Sequence, residues 1–582
     1  MENGQKTLND LFDGKKIFKI PEYQRAYAWG EKQLFDFMDD FRNQKLGKDY
    51  FFGTILFQEN GKQGPYEIIE VVDGQQRITT LVIFLNTLFD LYTDVDDETK
   101  EMYYETFIKY KSEYKLKVLQ DDNDFFETYV LGDHEVHTGL ITTPSQKKLL
   151  YSKEFFYEEL SKYSQEELKE ILSKVESTKI LTYSVMDKAE ATLIFETTND
   201  RGKQLTNLEK TKSFMMYKTY IAADDPEFML SKIQSRFSEI YKSYTVIEDM
   251  IDENSILQYN FIAFEDWKVT QKVKGYQRYM EQMKENVNEL IIESHHDAFD
   301  YIDKYTMNLR ESYAIMKALL TSDIPEFHDL LILGNMANFY PLLIKTYKFD
   351  RSPDLSKFRE VCELLEKYSF RVYSILNSRS NAGQSKLYGL AKDFNGDYSL
   401  LKDELKSAIY TYSSNADFIS YLTWGDFFDY SSNIKNYFYW KYENHLRDVE
   451  QPVASPIPAS VFRSKDRRKK FSIEHIMPQN PKASSKIATG DLSFGIMDDE
   501  FEEKYLHSIG NLTIDPMSAN ASKGNADIET KNNLYFKRSP FKTQNELDNF
   551  IVNDQWGKEA IIKRQEKLVE FAKIRWCSFD AI

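Results

Sequence analysis

Residues 71–81, VVDGQQRITTL, decide the fold of the N-terminal region, because an apolar run ends at Asp73-Gly74 and a helix is predicted to begin at Gln75. A strand-to-helix turn with glycine lets backbone amides approach an anion at the positive end of the helix. Arg77 and two threonines add donors, so the stretch predicts a phosphate or nucleotide pocket. It is not a P-loop, because GxxxxGK followed by Ser or Thr occurs nowhere in the chain. The alternative is a plain tight turn with Arg77 on the surface.

Short apolar or alternating runs on both sides of this stretch predict further strands. They lie at 17–20, 51–57, 66–72, 180–185 and 191–195. Helices are predicted between them. Thr206 and Glu209 have the spacing of a capping box, at the start of a helix that runs to about residue 221. Strands flanked by helices make residues 1–225 an α/β domain.

The rest of the chain is organised differently. Residues 226–450 show long amphipathic segments and few strand signals, which predicts a helical connecting domain. One segment has an apolar stripe at helical spacing, interpreted as core: Phe358, Val361, Leu364, Leu365 and Tyr368. The prolines of 451–460 predict a linker, and residues 461–582 a compact terminal domain. The predicted fold class is therefore α+β and multidomain.

The composition excludes several classes of protein. The chain has 582 residues, 42% of them hydrophobic and 15% aromatic, which is too many for a mainly disordered protein. Its sequence contains no apolar run of about 18 residues, the length that a membrane span needs. The first residues lack a signal-peptide pattern, and the two cysteines cannot build a disulfide framework. We expect a soluble, intracellular protein.

The net charge of −18 argues against a nucleic-acid partner, but the charge is unevenly distributed. Residues 461–582 contain 20 Lys and Arg against 18 Asp and Glu, whereas residues 1–460 contain 55 against 75. A polyanion is therefore expected to bind in the C-terminal part.

The C-terminal part contains polar residues whose order along the predicted strands and helix indicates a function. FSIEHIMPQN (471–480) predicts a strand that carries Glu474 and His475, and IGNLTI (509–514) predicts a second strand with Asn511 at its head. A helix is predicted to start near Asn520. A single His beside a Glu is more often a surface or core residue, but three elements in this order favour a nuclease.

These motifs resemble the HNH, or His-Me finger, nucleases, and most closely the EHI-x-PQ, GNLT and N-x-x-K pattern of GmrSD-type restriction enzymes. The resemblance implies a ββα-metal fold with His475 as general base. It makes Glu474 and Asn520 the ligands of Mg²⁺ or another divalent cation, while Asn511 cross-links the strands or orients the histidine. Hydrolysis of a phosphodiester needs such a base for water and positive charge for the phosphorane.

The N-terminal motifs are similar to the same family. They are IP-x-YQR-x-Y-x-W from residue 20, FFGTI (51–55), DGQQR-x-TTL (73–81) and F-x-x-x-N-x-R-G-x-x-L (195–205). The resemblance implies a ParB/sulfiredoxin-like fold that hydrolyses a nucleoside triphosphate (NTP), with Asp73 and Arg77 as catalytic residues. The implied pocket consists of Gln24, Arg25, Asp73, Gly74, Gln75, Gln76 and Arg77, with Asn199, Arg201 and Gly202 as a second wall. The aromatic residues Tyr23, Tyr27 and Trp29 can stack on a base or fill the core, and most of them are expected in the core.

Basic residues near the nuclease motif are the expected DNA contacts. They are Arg467, Arg468, Lys469 and Lys470 before the first strand, and Lys523, Lys537 and Arg538 after the second. The alternative for the run at 463–470 is a solvated charged loop.

Taken together, the resemblance implies an NTP-regulated, metal-dependent endonuclease of type IV restriction in the bacterial cytoplasm. Its expected substrate is double-stranded modified phage DNA, such as DNA with glucosylated hydroxymethylcytosine or phosphorothioate. Two alternatives stay open: a sensor that binds nucleotide or modified DNA without cleaving it, and an abortive-infection nuclease with an indiscriminate target. A homodimer also stays open, and no membrane partner is expected.

Overall fold

The structure is a computed structural model. It describes residues 4–43, 51–185, 206–222, 226–268, 274–449, 455–463, 471–479, 499–516, 526, 528–551 and 556–579. The chain divides into two compact units, residues 1–320 and 321–582. The predicted domain boundaries at 225 and 450 stay predictions. The mixed α/β, multidomain class is confirmed.

The first unit is built around a mixed sheet of six strands among the described residues. Its strands are β1 (Gly4–Thr7), β2 (Lys16–Lys19), β3 (Phe51–Gln63), β4 (Tyr66–Asp73), β7 (Leu116–Lys117) and β8 (Lys179–Val185), in the order β1-β8-β3-β4-β2-β7. Pairing is antiparallel for β1/β8 and β3/β4, and parallel for β3/β8, β2/β4 and β2/β7. Strands β5 (Lys109–Tyr110) and β6 (Glu113–Tyr114) form a separate small hairpin.

Helices make up most of the first unit. They are α1 (Leu8–Phe12), α2 (Glu31–Asn43), α3 (Gln75–Leu91), α4 (Asp97–Phe107), α5 (Gln120–Phe125), α6 (Pro144–Leu160), α7 (Gln165–Ser177), α8 (Asn207–Ala222), α9 (Glu227–Thr245), α10 (Glu253–Phe264), α11 (Tyr279–Glu293) and α12 (His295–Leu320). The apolar helix α3 is buried along most of its length and packs against α6.

The local predictions for this unit are largely confirmed. Strands form at four of the five predicted sites, α3 begins at Gln75, and the strand predicted at 51–57 extends to Gln63. The amide of Thr206 donates to Glu209, and the amide of Glu209 donates to Thr206, which is the predicted capping box. The strand predicted at 191–195 lies outside the described residues.

The described residues of the second unit are mostly helical. Its helices are α13 (Pro325–Leu333), α14 (Tyr340–Phe349), α15 (Ser356–Tyr368), α16 (Gln384–Asp393), α17 (Tyr398–Tyr412), α18 (Asn415–Leu422), α19 (Ser432–Val449), α20 (Ser460–Arg463), α21 (Asp499–Phe501), α22 (Ile528–Leu534), α23 (Lys542–Asn545) and α24 (Lys558–Ala572). The predicted apolar stripe on α15 is fully buried, which confirms its role in the core.

Strands β9 (Phe471–His475) and β10 (Leu512–Pro516) form an antiparallel pair in the second unit. Helix α24 packs tightly against the turn before β10: a Cβ on Gly510 would lie 2.3 Å from the carbonyl oxygen of Ile561, so only glycine fits there. Arg564 is fully buried and donates to the carbonyl oxygens of Gly510 and Leu512 at 2.9 and 2.6 Å. These contacts fix the backbone on both sides of Asn511.

Among the described residues, none of the helices combines the length and the apolar character that crossing a membrane requires.

Candidate functional sites

The first candidate site is the turn between β4 and α3. Gly74 adopts a φ of +90°, which favours glycine, and a Cβ there would lie 2.9 Å from Cγ1 of Ile55. Asp73 is the last residue of β4 and pairs with Leu56 of β3. The turn therefore brings the Asp73 carboxyl and the first amides of α3 together at the end of the sheet, which is the arrangement predicted for an anion site.

The two N-terminal motifs meet through glutamine side chains. Nε2 of Gln24 donates to the carbonyl oxygen of Val72 at 2.5 Å. Oε1 of Gln76 accepts from the amide of Ala28 at 2.8 Å, and its Nε2 donates to the carbonyl oxygen of Ala26 at 3.2 Å. These two predicted pocket residues use their side-chain amides to hold the two motifs together.

The remaining glutamine and the arginine of the first motif lie on the same side of α3. Nε2 of Gln75 donates weakly to the carbonyl oxygen of Arg25, at 3.4 Å. The cavity that Arg25, Gln75, Gln76 and Thr79 help to line measures about 10 Å³, room for about one water molecule. A nucleotide does not fit into this cavity as it stands.

Asp73 lies within electrostatic reach of Arg77, Glu209 and Lys212. Burial raises the pKa of Asp73, and the nearby Arg77 guanidinium opposes that rise. Nη1 of Arg77 donates to the carbonyl oxygen of Thr54 at 3.1 Å, which ties the arginine to β3. The structure thus brings the two predicted catalytic residues of this site together.

Lys212 of α8 belongs to this site, and the sequence analysis missed it. Its ammonium lies 5.0 Å from the ring centroid of Tyr23 and donates to the carbonyl oxygen of Tyr23 at 3.2 Å. Burial lowers the pKa of Lys212 to about 8, while the charges of Glu209 and Asp73 oppose the shift. The available signal was its spacing, because Lys212 follows the buried Leu208 by four residues on the same helix face.

The aromatic residues of the first motif pack in the core. The hydroxyl of Tyr27 lies 2.7 Å from that of Thr80 and 3.1 Å from that of Ser152, and Tyr27 is buried. Trp29 packs edge-on against Phe37.

The predicted second wall of the nucleotide pocket lies outside the described residues. It consists of Asn199, Arg201 and Gly202.

The second candidate site is the end of β9. His475 is the last residue of this strand and pairs with Leu512. Its Nε2 lies 3.1 Å from Nδ1 of His507, and its ring lies 4.5 Å, between centroids, from that of Phe428. Burial lowers the pKa of His475 to about 3, and His507, Lys531 and Lys435 lower it further. The imidazole is therefore neutral at neutral pH.

Asn511 anchors the turn that follows His475. Its Oδ1 accepts from the amide of Met477 at 2.9 Å and from Nε1 of Trp556 at 3.0 Å, and its Nδ2 donates to the carbonyl oxygen of Leu506 at 2.8 Å. The residue lies in a 3-10 turn (Ile509–Asn511) directly before β10, and not in the strand as expected. From this turn the side chain reaches the backbone of Met477, two residues after the end of β9.

Glu474 is paired with a lysine that the sequence analysis did not single out. Nζ of Lys531, on α22, lies 2.6 Å from Oε1 of Glu474 and donates to the carbonyl oxygen of His475 at 2.7 Å. Both side chains are buried. Among the described residues, no group of three His, Cys, Asp or Glu side chains is arranged to hold a metal ion. The other predicted ligand, Asn520, lies outside the described residues.

The predicted DNA contacts are only partly described. Lys537 and Arg538 are exposed in a 3-10 turn (Phe536–Arg538) after α22, and Nζ of Lys537 lies 3.2 Å from Oδ2 of Asp548. The other predicted contacts lie outside the described residues: Arg467, Arg468, Lys469, Lys470 and Lys523.

Comparison with known families places both sites in matched regions. Residues 8–216 match the model of the GmrSD restriction endonuclease N-terminal domain. Residues 412–571 match the model of the GmrSD restriction endonuclease C-terminal domain. No curated protein matches the chain.

Proposed function

The chain belongs to the GmrSD restriction endonuclease family, and from this premise we propose an NTP-regulated, metal-dependent endonuclease that cleaves modified phage DNA. The family domains indicate a type IV restriction endonuclease with DNA as its substrate. The observation that supports the catalytic part of the proposal is the environment of His475. A neutral imidazole is held there in one orientation at the end of a strand.

The contacts of His475 suit a general base. In the arrangement in which its Nε2 donates to Nδ1 of His507, Nδ1 of His475 keeps its lone pair for the proton of a water molecule. Nε2 of Gln479 also lies 3.4 Å from Nε2 of His475, but an amide nitrogen only donates, so in this tautomer it makes no hydrogen bond to the ring. A free imidazole of such low pKa is a weak base, but a bound phosphodiester brings negative charge that raises the pKa. DNA binding thus increases the basicity that the reaction needs.

We propose that the nucleotide binds at Asp73 and Arg77, because the cavity on the Gln75 side is too small. The first amides of α3, Arg77 and the buried Lys212 together supply the positive charge that a triphosphate needs. Lys212 belongs to α8 and Arg77 to α3, so bound phosphate would connect two elements of the first unit. Such a connection is the kind of contact by which a nucleotide favours one conformation over another.

The divalent-cation requirement is also a proposal. Oε1 of Glu474 contacts Lys531, so a cation would bind the second carboxylate oxygen or displace the lysine, and Asn520 is the second ligand that the family resemblance implies. The buried Glu474–Lys531 ion pair also favours the second candidate function, a protein that binds modified DNA without cleaving it. In that case the pair would have a structural role alone.

One experiment tests the function. Purified protein is incubated with unmodified, glucosylated-hydroxymethylcytosine and phosphorothioate DNA, with and without Mg²⁺ and NTP. We expect cleavage of one modified substrate, lost in His475→Ala and kept in His296→Ala, a control at an exposed histidine. Cleavage of every DNA would point to an abortive-infection nuclease, and binding without cleavage to the sensor.

A further inference from the structure

A cavity of about 400 Å³ lies beside β9, and we propose that it receives a nucleobase extruded from the DNA substrate. The inference rests on the proposed endonuclease function. Phe428, Phe462 and Phe471 contribute aromatic rings to the lining, and α19 contributes polar side chains. Its size falls within the range of about 300–1,000 Å³ that is typical of small-molecule pockets.

The cavity shares a wall with the candidate catalytic site. The ring of Phe428 lines the cavity and also packs against His475, at 4.5 Å between centroids. Ile473, another lining residue, precedes His475 by two residues, or about 7 Å along the strand. A base held in the cavity therefore leaves the phosphates of its own nucleotide close to His475.

The aromatic wall is held in place. Nζ of Lys435 lies 4.0 Å from the ring centroid of Phe428 and donates to the carbonyl oxygen of the same residue. Phe462 and Phe471 pack edge-on against each other, at 5.8 Å between centroids. Rings fixed in this way offer surfaces on which a flat base can stack, and stacking between aromatic or apolar side chains is how extruded bases are held.

The base has to leave the duplex to reach this cavity. Ser432 and Asn433, at the start of α19, are exposed at the rim, so the cavity opens to solvent. Extrusion is easiest for a base that has no pairing partner. The proposal therefore predicts that duplexes with an unpaired base bind more tightly.

The experiment measures binding in EDTA, so that cleavage plays no part. Duplexes carry a cytosine, adenine or thymine opposite either its normal partner or an abasic site, with 2-aminopurine as the neighbouring base. Wild-type protein should bind the duplexes with an unpaired base about ten-fold or more tightly than the paired ones, with a rise in 2-aminopurine fluorescence. Ser432→Trp, which fills the rim, should abolish the preference and the rise. Asp448→Trp, at an exposed position on the same helix, should keep both.

Equal binding of paired and unpaired duplexes by the wild type would overturn the inference, as would an unchanged preference in Ser432→Trp. A folded wild-type protein that binds no DNA at all would instead overturn the proposed function, and the inference with it.

Discussion

Nζ of Lys531 lies 2.6 Å from Oε1 of Glu474, and both side chains are more than nine-tenths buried. Lys531 also donates a hydrogen bond to the carbonyl oxygen of His475. A single lysine therefore connects α22 to both Glu474 and His475. Removing one partner of such a pair leaves a buried charge without a counter-charge. The pair is therefore expected to be important both for stability and for the position of His475.

We expect Lys531→Met to destabilise the second unit by about 3–5 kcal/mol, because the carboxylate of Glu474 stays buried and unpaired. Urea denaturation followed by tryptophan fluorescence measures the loss. The double variant Glu474→Gln, Lys531→Met should recover part of it, because no isolated charge remains. The control Lys537→Met removes a half-exposed lysine from its contact with Asp548 and should change stability by less than about 1 kcal/mol. Equal effects of the two single variants would contradict a buried pair.

His507 is expected to position His475. Without the contact between Nε2 of His475 and Nδ1 of His507, the imidazole is free to turn away from the attacking water. His507→Ala should therefore lower kcat for DNA cleavage by about 100-fold at a nearly unchanged KM. His475→Ala should lower it by about 10²–10⁴-fold, the usual contribution of a general base. A variant of His507 that cleaves at the wild-type rate would show that the histidine pair has no part in the reaction.

Gly74 offers a test of the turn at the nucleotide site. Gly74→Ala introduces a side chain at a φ of +90° and places its Cβ 2.9 Å from Ile55, so we expect a loss of about 1–3 kcal/mol and weaker NTP binding. Gly14→Ala is a matched control, because Gly14 has a φ of +84° but no atom within 4 Å of an added Cβ. The difference between the two variants in thermal denaturation isolates the contact with Ile55. Equal losses would mean that the backbone conformation alone requires glycine.

The sequence predicts much of the local structure because local patterns determine it. The apolar run before Asp73 and the glycine after it predict both β4 and the start of α3, and the capping box at Thr206 predicts α8. The order of the strands was not predictable in the same way. Strand β3 pairs with β8 more than 100 residues further along the chain, and no local pattern specifies that partner.

Only some residues of each candidate site were predictable, because only some of them belong to local sequence motifs. The motif residues Asp73, Arg77 and His475 are recognisable from their neighbours in sequence. Their partners are not, because a lysine such as Lys531 usually projects into solvent and gives no signal until its helix is packed. His507 lies 32 residues from His475 and becomes its neighbour only when β9 and β10 pair.

Lys212 provides a test of the nucleotide site through pH. Burial lowers the pKa of its ammonium group to about 8, so that the lysine is charged below this pH and neutral above it. A charged Lys212 attracts phosphate. NTP affinity should therefore fall as the pH rises above about 8, because phosphate binds the charged form of the lysine more tightly.

The lowered pKa of Lys212 also determines how the stability of the folded chain changes with pH. The pKa of Lys212 in the folded chain lies below its value of about 10.5 in the unfolded chain, so the unfolded state binds more protons between pH 8 and 10.5. The free-energy cost of burying the charged ammonium group is fully present below pH 8. It disappears as the pH rises from about 8 to about 10.5. Lys212→Met should therefore be more stable than wild type at pH 7 while losing NTP binding.

Lys210→Met is the matched control, because Lys210 lies two residues away on the same helix and is exposed. Isothermal titration calorimetry with NTP from pH 6.5 to 9.5 and thermal denaturation over the same range measure the two effects. We expect a falling affinity for the wild type and for Lys210→Met, and negligible binding for Lys212→Met at every pH. Wild-type affinity in Lys212→Met would exclude the lysine from the nucleotide site, whereas a loss of affinity in both variants would show that the effect is not specific to the buried ammonium group.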